Sequence, residues 1–276
     1  MAGPEVAIID RIQKADSFAY TAVSVYRYRE LLRNLVLKDL KLKYRGSVLG
    51  FLWSLANPLL MITVYTIAFR YVIRVHTEAF VFYLVLGILA WTFFANSLTM
   101  ASGAIVDNAA LVKSVFFPRA ILPVASVLFN FAQYAMTAAM FLPAMLLFYR
   151  VPLAWPMLLF PVFLGLQLLF TIGIALTLAT GTAFFRDIRH FLEISLAVLF
   201  WMTPIVYTLE RVPPTLRPFV LVTPLSPYVE AYQMIFFYRQ WPAGSIWALA
   251  AGYAAAALFI GMALMLKHED RFSEHI

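Results

Sequence analysis

The stretch Tyr26–Leu60, YRYRELLRNLVLKDLKLKYRGSVLGFLWSLANPLL, holds two segments of opposite preference back to back. From Tyr26 to Arg45 it is basic and amphipathic. From Gly46 it turns apolar, with few polar residues before Arg70. A chain of this composition changes solvent at that junction: the basic half belongs on a membrane surface and the apolar half inside the bilayer. In the basic half Leu31, Leu32, Leu35 and Val36 fall on one helical face, and Arg27, Arg33, Asn34 and Lys38 mostly on the other. Asp39 and Lys43 would turn inward on an ideal helix, so the pattern predicts an end or bend there. Gly46-x-x-x-Gly50 reads as a close-packing pair at the start of the first span. Asn57-Pro58 then predicts a kink just inside it.

Working outward, the whole chain repeats the apolar half. It has 276 residues, 63% hydrophobic and 13% charged, against roughly 25% charged in soluble domains. This excludes an ordinary soluble domain and sets an all-α, polytopic membrane protein as the fold class. Residues 1–45 form an N-terminal segment with the amphipathic interface helix, and 46–276 a transmembrane domain. No short apolar run with a small-residue cleavage site follows Met1–Asp16, so the first span is expected to act as its own insertion signal. Without cysteine, disulfides, thiolate metal sites and Cys nucleophiles are excluded.

Six stretches reach spanning length: Gly50–Ile73, Phe80–Ser102, Ala120–Phe148, Met157–Phe184, Phe191–Leu209 and Ile246–Leu266. An even number puts both termini on one side. With the N-terminus inside, 15 of the 21 Lys and Arg lie in inner segments, which predicts cytoplasmic termini.

The connecting segments are uneven. Ser102–Ala120 contains Asp107, a candidate cap for a short helix Asn108–Val115, and then Phe116, Phe117, Pro118 and Arg119. Two Phe beside Lys113 and Arg119 read as an exposed docking knob, or as aromatics anchored at headgroup level. The shorter loop carries Arg186, Asp187 and a single His190. Glu210–Ser245 holds six prolines yet is apolar and aromatic, unlike a loop in water. It reads as two short re-entrant helices in the outer leaflet, broken at Pro224 and Pro227, over the mouth of a cavity.

Chemistry of its own is absent from the sequence. None of the 14 Asp and Glu falls deep within a span, whereas ion-driven transporters use intramembrane ionisable groups. There is no Gly-Lys dipeptide and so no P-loop, no HExxH or paired His to hold a metal, and no Ser/His/Asp set. Transport by this chain would draw its energy from a partner docking on the cytoplasmic side.

In order along the chain, LKDLKLKYRGSVLGFLWSLANPLL, DNAALVKSVFFPRAILP, FFRDIRHFLEISLAVLFWMTPIVY and TPLSPYVEAYQ resemble the membrane-spanning subunit of type-2 ABC exporters, above all the polysaccharide class that exports O-antigen and teichoic acid. The resemblance implies a homodimer in the bacterial inner membrane, with two P-loop ATPase subunits that carry the ATP and Mg; this chain itself would bind no cofactor, metal or nucleic acid. It implies a coupling helix at Asn108–Arg119. Residues coupling to the ATPase would be Asn108, Lys113, Phe116, Phe117, Pro118 and Arg119, with Lys43, Tyr44, Arg45, Arg186 and Asp187. The cargo would be a glycan on a polyprenyl diphosphate lipid.

Sugars offer hydroxyls and apolar CH faces, so aromatic rings stack on them without fixing one sequence. Tyr65, Phe69, Tyr71, Trp201 and Tyr207 are candidates to line the path. Pro224, Pro227, Tyr228 and Tyr232 are candidates for an outer gate, with the tyrosines facing the mouth or the outer leaflet. Two alternatives stand: a similar permease for a drug or small lipid, and a membrane-embedded glycosyl or lipid transferase. The thin carboxylate set argues against the transferase.

Overall fold

The computed structural model describes residues 27–46, 52–72, 74, 79–115 and 117–272. Among these every regular element is helical. Helix α1 is Arg29–Tyr44 and α2 is Leu52–Thr66, which runs on through a π-helical stretch, Ile67–Val72. Next come α3 (Phe80–Ser102), the short α4 (Ala109–Ser114), α5 (Ile121–Phe148) and α6 (Phe160–Phe184), the last entered through a 3-10 turn at Trp155–Leu159. Helix α7 is Ile188–Met202, α8 is Arg217–Leu221, α9 is Ser226–Tyr232 with a π-helical continuation Gln233–Tyr238, and α10 is Gly244–His268.

Four of these segments are long and apolar enough to cross a membrane: Phe80–Ser102, Ile121–Phe148, Trp155–Phe184 and Gly244–His268. Helix α3 is the centre. Its apolar stretch is 72% buried, against 22–33% for the other three, because α2, α5, α6, α7 and α9 all pack on it. A helix apolar on every side suits that position. Helices α6 and α10 touch backbone to backbone: a Cβ on Gly173 would collide with the Ala257 carbonyl carbon, and one on Gly261 with the Gly173 carbonyl oxygen. Small residues allow this approach where water supplies no driving force between helices.

Three local expectations change. Helix α1 does not end at Asp39 but runs unbroken to Tyr44. Lys43, in the last turn, is exposed but its ammonium reaches the amide of Gln133 on α5. Gly46 has no atom near its would-be Cβ; its φ of +74 makes it the turn that closes α1, not a packing glycine. Gly50 lies outside the described residues.

The fifth apolar stretch is helical only to Met202. Thr203–Val206 continues as irregular, buried backbone. Irregular backbone inside a bundle must find its hydrogen bonds there. Here Pro204 O accepts from Tyr83 Oη (3.2 Å) and from Gln233 Nε2 (2.9 Å), and Tyr207 O accepts from Tyr83 Oη (3.0 Å).

Candidate functional site

At one end of the bundle, α1, the Gly103–Ala120 segment, the α6–α7 turn and the end of α10 share a second core. It contains Leu32, Ile105, Val112, Phe117, Ile121, Ala183, Met265 and Phe272. The apolar face of α1 read from the sequence packs here and along α5, so it rests on protein. The loop is tied down twice. Arg189 Nη2 donates to Asp107 Oδ1 at 2.7 Å, and Arg119 N donates to Glu269 Oε1 at 2.7 Å. Gly103 has no space for a Cβ beside the Asp107–Arg189 pair.

This geometry corrects two readings. Asp107 does not cap α4, whose N-cap is Asn108 with no side-chain cap bond; its carboxylate is engaged by Arg189 instead. Phe117 is not an exposed knob. It is 1% exposed and packs in the second core, where it anchors the loop. Phe116 lies outside the described residues. Asn108 donates back to Ala104 O, and Pro118 and Arg119 are half-buried. Among the described residues the outward surface includes Lys113, Ser114 and Val115, with Arg186 and Asp187 across the next loop. Among the described residues of the loop Val115 is a large apolar side chain left exposed, and nothing in the sequence marks it beside the larger Phe pair. Tyr44 is half-buried and Arg45 exposed, and Lys43, also exposed along its length, reaches across to Gln133 on α5.

A cavity of about 320 Å³ opens between α2, α3 and α7, lined by Met61, Tyr65, Trp91, Phe200 and Trp201 among others. Tyr65 stacks on Phe200 (5.5 Å, 25°), and Trp91 meets Phe200 edge-on at 5.3 Å. Of the five aromatics expected on a path, the structure brings Tyr65 and Trp201 to this wall. Phe69 packs between Tyr65 and Phe80 instead. Tyr71 is exposed on the π-helical end of α2, and Tyr207 folds back to donate to Trp201 O and Met202 O. Trp91 and Phe200 were missed because nothing in the sequence marks one apolar face of a span as cavity-facing.

Beside it lies a smaller polar pocket, about 90 Å³, between the end of α1 and helices α2, α3 and α5. Its polar lining includes Lys43, Asn57, Thr92, Asn96, Asn130, Gln133, Tyr134 and Thr137. The Lys43 ammonium donates to Gln133 Oε1 and lies 5.7 Å from the Phe129 ring centroid. Burial lowers its pKa from the ordinary lysine value.

The opposite end carries the proline-rich segment. As the prolines imply, it splits into short helices, with Pro218 in the first turn of α8 and Pro227 in that of α9. The orientation of the tyrosines is another correction. Tyr228 and Tyr232 are wholly buried: Tyr228 Oη donates to Ala250 O (2.8 Å) and Tyr232 Oη to Gln167 Oε1 (2.7 Å). They pin α9 into the core and face neither mouth nor leaflet. The exposed apolar residues are Leu216, Phe219 and Val222 around α8. Glu230, on α9, is mostly buried, and its Oε2 has no hydrogen-bond partner among the described residues. Burial pushes this carboxyl up to about 7.

Comparison with known proteins gives a consistent picture. The chain is 33% identical over 255 residues to the O-antigen export system permease protein RfbA of Myxococcus xanthus, covering 91% of this chain and 97% of that protein. It is 30% identical over 208 residues to the RfbA of Klebsiella pneumoniae, covering 75% of this chain and 80% of the relative. The ABC-2 type transporter family matches residues 30–237. With four membrane-length helices among its described residues, every regular element there helical, and this match over most of its length, the chain belongs to the ABC-2 type transporter family.

Proposed function

We propose that this chain is the channel-forming permease subunit of an ATP-driven exporter that moves an O-antigen-type glycan, linked to a polyprenyl diphosphate, across the bacterial inner membrane. The observation that carries the reading is the near end-to-end similarity to a permease named for O-antigen export. The geometry supports it. The 320 Å³ cavity is walled by aromatics, which suit a sugar's CH faces. Helices α2 and α7 flank it with exposed Leu60, Val64, Ile194 and Val198, apolar faces that fit a second copy across a two-fold axis.

On this reading the first and fifth apolar stretches complete six spans and the α8–α9 segment re-enters from outside. Both termini are cytoplasmic. Two copies of a P-loop ATPase, holding ATP and Mg, engage the Lys113–Val115 surface at the cytoplasmic end. A cell lacking this chain is expected to make the lipid-linked glycan but hold it on the inner leaflet. Surface immunoblotting with and without permeabilisation measures this, and normal surface glycan in the deletion strain would sink the reading. The permease for a drug or small lipid is the competing outcome, and it leaves surface glycan unchanged.

A further inference from the structure

The Lys43 pocket is unusual in where it sits. Gln133, which accepts from Lys43, is twelve residues beyond Ile121 on α5, about 18 Å along the helix at 1.5 Å per residue. Asn130, Gln133 and Thr137 are all buried on that membrane-length helix. Polar side chains there are costly and gather where they serve a cavity or a ligand. The hydroxyls of Thr92 and Thr137 are already used, on Ile88 O and Gln133 O. Asn57 and Asn96 are exposed on the rim, and their side-chain amides make no hydrogen bond among the described residues. A cation with free amides beside it, and no carboxylate in the lining, selects an anion with several acceptor oxygens.

The size narrows the ligand. A water needs about 10–15 Å³ on this measure, so about 90 Å³ admits a group of a few heavy atoms and not a saccharide chain. The pocket also has a defined neighbour. Asn57, Thr92 and Asn96 line both it and the aromatic cavity. A polar, cationic compartment therefore adjoins an aromatic one through a rim of amides, and Trp53 stands exposed at its edge.

We propose that the Lys43 pocket binds a phosphate group of a lipid, with Lys43 as the counter-ion, Asn57 and Asn96 as donors, and the group attached to that phosphate directed into the aromatic cavity. This rests on the export reading for the identity of the lipid, a polyprenyl diphosphate whose sugars follow the phosphate. A bilayer phospholipid offers the same phosphate without the sugars.

The test uses the full chain in phosphatidylcholine nanodiscs. It is titrated with a polyprenyl diphosphate and with the phosphate-free polyprenol of equal length, read by tryptophan fluorescence and native mass spectrometry. The diphosphate should bind at least about ten-fold tighter, and Lys43→Met should remove that preference while Lys43→Arg keeps most of it. Asn96→Leu, on an exposed position, should weaken the diphosphate about three-fold and serves if Lys43→Met does not fold. Equal affinity for the two lipids, or an undiminished preference in Lys43→Met, overturns the site. Phosphatidylglycerol that fails to compete supports the carrier as the ligand; full competition overturns the carrier and gives the pocket to the bilayer lipid. None of these readouts needs transport, so their failure is distinct from normal surface glycan in the deletion strain, which would overturn the export reading itself.

Discussion

Phe117 and Val115 sit two positions apart and do opposite things. Phe117 is buried in the core that unites α1, α4, α5 and α10, so replacing it removes packing. Phe117→Ser should cost about 3–5 kcal/mol, the range for truncating a buried Phe, and show as lower yield and a lower unfolding temperature. Val115 is exposed at the end of the loop. Val115→Asp should leave unfolding within about 0.5 kcal/mol and, on the export reading, reduce stimulation of the proposed partner ATPase. Equal thermal losses in both variants would contradict this division.

Glu230 makes a separate residue-scale prediction. Its carboxyl is raised from about 4.5 to about 7, so the folded protein holds the proton more tightly than the unfolded chain between those values. That contribution to stability is fully present below about 4.5 and is lost as pH rises through 7. Hydrogen exchange of the α9 segment should therefore speed up from pH 6 to pH 8, beyond the intrinsic chemical rate, and Glu230→Gln should abolish the excess.

At the scale of elements, two kinds of joint hold the bundle. The α6–α10 joint is steric. Gly173→Leu would drive a side chain into the Ala257 backbone, and it should prevent folding or separate the two helices. Gly165→Leu on the same helix, where nothing lies within reach of a Cβ, should be tolerated. Comparing monodisperse yield of the two variants measures the difference. The joint between the loop and α7 is polar and longer-range, through Arg189 and Asp107. Both groups are partly exposed, so its worth to stability is small; its effect is to fix the α4 loop to the start of α7.

At the scale of the whole molecule, one end is basic and tied together by the second core, and the other is aromatic and closed by α9. The export reading puts them on opposite sides of the membrane. The chain has no cysteine, so single reporters are clean. Ser114→Cys should react with a membrane-impermeant thiol reagent only in opened vesicles, and Thr215→Cys from outside intact cells. Both residues are exposed or at an exposed turn. Labelling of the two from the same side would contradict this topology.

Composition and local order were enough to establish the class and most of the long elements. Apolar length set the membrane class and marked Phe80–Ser102, Ala120–Phe148, Met157–Phe184 and Ile246–Leu266, each within a few residues of a membrane-length helix. Basic residues set the surface helix, and proline spacing broke the Glu210–Ser245 segment into short helices. Which side chains turn inward follows from packing between distant parts of the chain. Phe117, Tyr228 and Tyr232 each read outward or toward a partner, and each is drawn in by a residue distant in sequence or by the second core. The reason is physical. In a membrane the lipid is as apolar as the protein interior, so hydrophobic periodicity no longer separates buried from exposed faces. What remains to decide them is long-range: Tyr232 to Gln167, Arg119 to Glu269.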